Sequence, residues 1–189
     1  IDELALMAGV GEVVAKLTEQ AMQGELDFEE SLRARVAQLA GADEMIIHTL
    51  CDKLPLMPGL KEMVKELQNH GWRLVLASGG FTPFVEYLKR LLDLDAAYAN
   101  ELVIADGRLT GQVSGQIVDA QYKADTLVRS AQKWQIQSGQ SLAIGDGAND
   151  IPMINAADFG VAYHAKPKLE AVADQAIKIL DLKVLPYLL

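Results

Sequence analysis

The chain has 189 residues, half of them hydrophobic and 23% charged, which excludes a disordered or low-complexity protein and allows one sizeable core with a small accessory domain. Lys plus Arg number 17 against 26 Asp plus Glu; the net charge of −9 is spread along the chain without a basic cluster, which argues against a nucleic-acid partner. No run of about twenty apolar residues exists to cross a membrane, the start Ile1-Asp2-Glu3-Leu4 lacks the form of a signal peptide, and the single Cys51 cannot form an internal disulfide, so a reducing cytoplasm is the expected compartment.

Residues 1–54 read as wholly helical. Val10, Val13, Val14, Leu17 and Ala21 recur at helical spacing, Gly24 closes that helix, and Asp27 is the expected N-cap of the next, which carries Phe28, Leu32, Val36 and Leu39. A third helix follows around Met45, Ile46 and Leu50. Arg35 is the odd residue, because positions 28, 32, 35, 36 and 39 share one helix face and a guanidinium there needs an anionic partner. A nearby glutamate is one candidate and a ligand the other. Arg33 points elsewhere, into solvent.

From Pro55 helix and strand alternate, the pattern of a parallel sheet covered on both faces. Gly59 to His70 is an amphipathic helix and Trp72 to Ala77 a strand ended by Ser78-Gly79-Gly80. Thr82 to Leu92 is the next helix. Ala97 to Ile104 and Arg108 to Val113 form a hairpin with its turn at Asp106-Gly107. Tyr122 to Trp134 is helical, Ser141 to Ile144 is a short buried strand, and Phe159 to Ala162 another. Lys166 to Ala173, a run at Ala176 to Leu180 and a helical turn near Leu185 complete the order.

Three short motifs carry chemistry. Gly145-Asp146-Gly147-Ala148-Asn149-Asp150 lies between a strand and a helix, where open α/β sheets keep their ligands, and its two carboxylates suit a hard cation such as Mg²⁺. Ordinary turn chemistry, with Asn149 capping the following helix, explains the same residues. Ser78-Gly79-Gly80, at a strand end before a helix, can face a phosphate, or is simply a glycine turn with a capping serine. Lys123 opens a helix, where a cation is mildly disfavoured; by itself it reads as a surface residue.

In that order, Ser-Gly-Gly, lysine and Gly-Asp-Gly-x-x-Asp resemble motifs two, three and four of the haloacid dehalogenase (HAD) superfamily, most of whose members transfer phosphoryl groups with Mg²⁺. The details are similar to the phosphoserine phosphatase family, through Ile1 to Ala5, Ala21 to Gly24, Phe28 with Ser31 to Val36, Ala77 to Phe81, Ala99-Asn100 and Gly145 to Ile151. The resemblance implies an α/β fold of HAD type, a doubly wound parallel sheet at residues 55–189 with a helical cap at residues 1–54. It implies an enzyme hydrolysing O-phospho-L-serine to L-serine and phosphate through an aspartyl-phosphate, the last step of serine biosynthesis. Carried over by position, Asp146 ligates Mg²⁺, Asp150 supports the metal site, Ser78 and the Gly79 amide hold phosphate oxygens, and Lys123 neutralises the phosphate and the attacking carboxylate. Asn149 contacts the substrate, Met22, Phe28 and Arg35 form the cap side of the pocket, and Arg35 pairs with the substrate carboxylate. A homodimer is compatible with the family. His48, His70 and His164 match no family role.

The nucleophile motif Asp-x-Asp-x-Thr/Val of the family is expected shortly upstream of Ile1, on a first strand at the sheet centre. Asp93-Leu94-Asp95 copies the spacing but follows a helix, and so is a decoy. A chain truly beginning at Ile1 is expected to be inactive and poorly stable. The same chemistry on another small phosphomonoester, phosphoryl transfer to another alcohol, or a non-catalytic binding protein are the alternatives; a substrate panel and the upstream sequence separate them.

Overall fold

A computed structural model describes residues 1–23 and 25–189; the expected helix stop at Gly24 lies outside the described residues. The elements in chain order are α1 (Asp2–Met7), α2 (Gly11–Met22), α3 (Phe28–Ala37), α4 (Met45–Asp52), α5 (Leu60–Asn69), β1 (Val75–Phe81), α6 (Thr82–Leu92), β2 (Ala96–Ala105) and β3 (Arg108–Ser114). They continue with α7 (Ala120–Lys133), β4 (Leu142–Gly145), α8 (Ile151–Ala156), β5 (Phe159–Tyr163), α9 (Pro167–Glu170) and β6 (Gln175–Ile177). Single 3₁₀ turns cover Ala148–Asp150 and Leu182–Leu188. The described strands form two three-stranded sheets, ordered β1-β2-β3 and β4-β5-β6.

The chain divides into two compact units, each with its own core. The first comprises Ile1–Pro55, Ser78–Asp93 and Ala97–Ile117. Its four N-terminal helices bury one stripe each, and Leu4, Val14, Leu32, Val36 and Ile47 meet Leu102, Leu109 and Val113 of the β2–β3 hairpin in one cluster. α3 begins at the expected cap: Asp27 accepts from the Glu30 amide at 2.8 Å while Glu30 returns a carboxylate oxygen to the Asp27 amide at 3.1 Å. The hairpin turns at Asp106 and Gly107, both at positive φ (51° and 73°), the conformation that matches strand twist in a two-residue loop. The far end of α3 is fastened to β3. The Gly41 amide donates to the Leu109 carbonyl at 2.8 Å, the Leu109 amide donates to Ala42 at 2.9 Å, and Arg108 donates to the Gly41 carbonyl at 2.7 Å. Gly111 lets the two approach, since a Cβ there would stand 2.9 Å from the Ala40 Cβ.

The second unit comprises Leu56–Ala77, Leu94–Ala96 and Val118–Leu189. β4, β5 and β6 are parallel, with Ala143 opposite Gly160 and Ala162 opposite Ala176. β5 is the middle strand and its Val161 and Ala162 are fully buried, which is why Phe159 to Tyr163 is a continuous apolar run rather than an alternating one. Ala143, Ile154, Ala162 and Leu169 form its core, with Leu127 of α7 and Met153 of α8 packed on it. α5 buries Met63, Val64 and Leu67 on one face, as its periodicity predicts.

Three expected elements shift. The strand expected at Trp72 to Ala77 is instead Val75–Phe81, so Ser78-Gly79-Gly80 lies inside a strand and is not a turn. Leu74 is taken out of the ladder by Asp95, whose carboxylate accepts from the Leu74 amide at 2.8 Å and whose own amide donates to the Leu74 carbonyl at 3.0 Å. The segment expected at Lys166 to Ala173 is helical only at Pro167–Glu170, and the run at Ala176 to Leu180 gives way to a strand at Gln175–Ile177. Among the described residues no helix is long and apolar enough to cross a membrane.

Candidate active site

In the second unit, β4 ends at Gly145 and the chain turns through Asp146-Gly147 into a 3₁₀ turn and then α8. The two aspartates of this loop are not alike. Asp150 is buried and its oxygens are fully used: one accepts from the Asp146 and Gly147 amides at 3.1 and 3.2 Å, the other from Lys123 Nζ at 2.8 Å. Asp146 is exposed, and no hydrogen bond or ion pair holds its carboxylate among the described residues. Asp150 is therefore the brace of the loop, and Asp146 is the carboxylate that remains available.

Lys123 is buried in the fourth position of α7, one turn beyond Asp119, whose side chain caps the helix by accepting from the Tyr122 amide at 2.7 Å. The surface placement that its sequence context favours is thus corrected; a carboxylate 27 residues further on keeps the ammonium paired in the interior. The turn-chemistry reading of Asn149 as a cap is also corrected, because α8 has no side-chain cap and Asn149 is exposed.

Gly145 has no room for a side chain. A Cβ there would lie 2.5 Å from the Asp150 Cβ and 2.7 Å from one of its carboxylate oxygens. Gly145→Ala is expected to cost about 2 kcal/mol by overpacking, lowering Tm by about 5 °C in a thermal melt, whereas an unchanged Tm would show that the loop can move aside.

In the first unit, Ser78 Oγ accepts from the Gly80 amide at 3.0 Å, which leaves the hydroxyl proton to donate. Asn100, fully buried, donates to the Gly79 and Gly80 carbonyls at 2.9 and 3.2 Å and so fixes the course of the glycine pair. Sequence reasoning counted Ala99-Asn100 among the segments that carry the resemblance but gave Asn100 no role of its own.

The same unit holds a cavity of about 340 Å³ between α2 and α3, lined by Ala21, Met22, Leu26, Phe28, Ser31 and Arg35. Met22, Phe28 and Arg35 are therefore brought together. Arg35 does not pair with a glutamate: no carboxylate lies within ion-pair distance among the described residues, and its Nε donates to the Ser31 carbonyl at 3.1 Å. Burial pushes its pKa down from the ordinary arginine value and the Asp2 carboxylate pulls it back up, so a half-buried cation faces a largely apolar hollow whose other polar lining is Thr18, Asp27 and Ser31. Arg33 is exposed and bridges to Glu29 at 2.7 Å.

The chain matches the haloacid dehalogenase-like hydrolase family over residues 5–155. It is 54% identical to a phosphoserine phosphatase of Haemophilus influenzae over its whole length, covering 60% of that protein. The chain belongs to the phosphoserine phosphatase family of haloacid dehalogenase-like hydrolases. Among solved structures, it is similar to an unliganded probable phosphoserine phosphatase from Vibrio cholerae, with a TM-score of 0.93 and 53% identity, covering 98% of this chain and 57% of that one. A substrate-bound phosphoserine phosphatase complex superposes with a TM-score of 0.89 at 40% identity, covering 98% of this chain and 89% of that one. The chain thus spans about three fifths of the length of that Haemophilus influenzae protein.

Within this family the decoy reading of Asp93-Leu94-Asp95 agrees with the structure. Asp93 ends α6 in the left-handed conformation, and Asp95 is spent on Arg73 at 2.8 Å and on the Leu74 amide. His70 bonds the Glu66 carbonyl, and His164 stacks on Tyr163 and bonds the Leu180 carbonyl; neither touches a motif residue.

Proposed function

We propose that the complete protein is a Mg²⁺-dependent phosphatase that releases L-serine and phosphate from O-phospho-L-serine through an aspartyl-phosphate formed on an aspartate upstream of this chain, in the last step of serine biosynthesis. Residues 1–54 act as the helical cap and residues 55–189 as the catalytic core. The observation that carries the reading is the Met22, Phe28 and Arg35 cavity: a largely apolar hollow holding a guanidinium that has no ion pair among the described residues fits a small molecule bearing a carboxylate.

Among the described residues no three His, Cys, Asp or Glu side chains cluster as a complete metal site. The unengaged Asp146 carboxylate still fits Mg²⁺, which is commonly held by one or two carboxylates, waters and substrate phosphate oxygens. When bound, Mg²⁺ supplies positive charge to the phosphoryl oxygens. Asp150 holds the Asp146 loop in shape and keeps Lys123 in place. Lys123 offsets the charge of the phosphate and of the attacking carboxylate, and Ser78 donates its remaining proton to a phosphate oxygen, with the Gly79 amide as a second donor. Arg35 takes the substrate carboxylate, and Asn149 contacts the substrate from the exposed side of its loop.

The test is phosphate release by the full-length protein from O-phospho-L-serine and from a panel of sugar and amino-alcohol phosphates. A preference for phosphoserine supports the reading; indifference across the panel refutes it. Asp146→Asn is expected to lower Mg²⁺-dependent turnover by at least about a hundredfold with Tm moved by less than about 2 °C, since the side chain has no hydrogen-bond or ion-pair partner among the described residues. Retained turnover would remove Asp146 from the metal site.

A further inference from the structure

We infer that Ser31 is a specificity-determining residue of the α2–α3 cavity, its hydroxyl serving as a second donor to the substrate carboxylate beside Arg35. The inference rests on the phosphoserine reading. Ser31 is 1% exposed, lines the cavity, and sits one helical turn before Arg35 on the same face of α3. Its backbone is fully employed, the amide donating to Asp27 at 3.0 Å and the carbonyl accepting from Arg35 Nε at 3.1 Å. Its hydroxyl is not: Ser31 Oγ has no hydrogen-bond partner among the described residues.

That is an unusual state for a helical serine, which ordinarily donates to the carbonyl four residues back or faces water. A buried hydroxyl without a partner disfavours the folded state, so alanine at this position should be tolerated or preferred on stability alone. A ligand acceptor removes the deficit. Ser31 lines the same cavity as Arg35, and the group that can accept from both a hydroxyl and a guanidinium is a planar two-oxygen anion. Asp27 also lines the cavity, but one of its carboxylate oxygens accepts from the Glu30 amide and neither is bonded to Ser31 Oγ. The other hydroxyl of the lining, Thr18, donates to the Val14 carbonyl at 3.0 Å, and Ala21, Met22, Leu26 and Phe28 offer no side-chain donor.

The test compares the full-length wild type with Ser31→Ala and with the isosteric, weaker donor Ser31→Cys, on O-phospho-L-serine and on O-phosphoethanolamine, which lacks the carboxylate. Ser31→Ala is expected to raise KM for phosphoserine about tenfold, to leave kcat and the KM for phosphoethanolamine within about twofold, and to hold or raise Tm. Ser31→Cys should fall between. Equal effects on the two substrates, or none on either, would overturn the assignment while leaving the phosphoserine reading intact. So would a fall in Tm of more than about 5 °C with Ser31→Ala, since that would give the hydroxyl a structural partner. A wild type that does not prefer phosphoserine to phosphoethanolamine would sink the substrate reading and this assignment with it.

Discussion

Arg35→Ala in the full-length protein is expected to raise KM for O-phospho-L-serine about a hundredfold while changing KM for O-phosphoethanolamine by no more than about threefold. The magnitude follows from the state of the guanidinium. Only Nε has a protein acceptor, the Ser31 carbonyl, and no carboxylate stands within ion-pair reach among the described residues. The edge of the fork that can grip a carboxylate in two parallel bonds is therefore uncommitted. Truncating one partner of a charge-assisted pair costs about 2–5 kcal/mol when the pair is well shielded; Arg35 is only half-buried, which places it at the lower end, and about 2.7 kcal/mol is a hundredfold. Equal losses on the two substrates would mean that Arg35 shapes the helix rather than reads the ligand. Arg35→Lys is a useful companion, since a point charge cannot reproduce the fork.

Asp150→Asn is expected to lower Tm by about 10 °C, the largest stability change among these substitutions. Side-chain exposure is 7% at Lys123 and 8% at Asp150, so the pair is close to fully desolvated, and breaking such a pair costs about 3–5 kcal/mol. Asparagine has the right shape and the wrong inventory. Asp150 uses two oxygens to accept three donors, whereas Asn offers one oxygen and must turn its NH₂ either toward the Lys123 ammonium or toward the Asp146 and Gly147 amides. Removing the stranded charge should restore much of the loss: Lys123→Met combined with Asp150→Asn is expected to regain at least half of the lost Tm. Calorimetry on the wild type and the two variants decides this, and a single substitution that shifts Tm by less than about 3 °C would show that water reaches the pair.

How far the sequence leads depends on whether the deciding partner is near in the chain. α6 was legible at both ends because Thr82-Pro83 opens it and the apolar period stops at Leu92; the β2–β3 hairpin was legible because Asp106-Gly107 names its own turn. β1 was displaced by three residues because Asp95, 21 positions away from Leu74, occupies the hydrogen bonds that a strand would need. Lys123 looked like a surface lysine because its carboxylate lies in another element. The loop at Gly145 to Asp150 stood out, and its residue types alone left the two aspartates equivalent; the family resemblance gave them separate roles, and the Asp146 and Gly147 amides and Lys123 make Asp150 the brace. Arg35 stood out as a charge on a buried stripe. Ser31 did not, since a serine between two apolar positions is unremarkable until its hydroxyl is found without an acceptor.

The fastening between the end of α3 and strand β3 bears on how a lid of this kind could work. Because Leu109, Gly111 and Arg108 grip the residues that follow Ala37, the helix carrying Phe28, Ser31 and Arg35 cannot tilt without dragging the hairpin along. The hairpin tip is held to the same stretch, since the Glu44 amide donates to the Gly107 carbonyl at 2.9 Å and Asp43 bridges to Arg108. Helix, connecting loop and hairpin are thus clamped into one piece, and a substitution at the tip would be felt by the helix that reads the ligand.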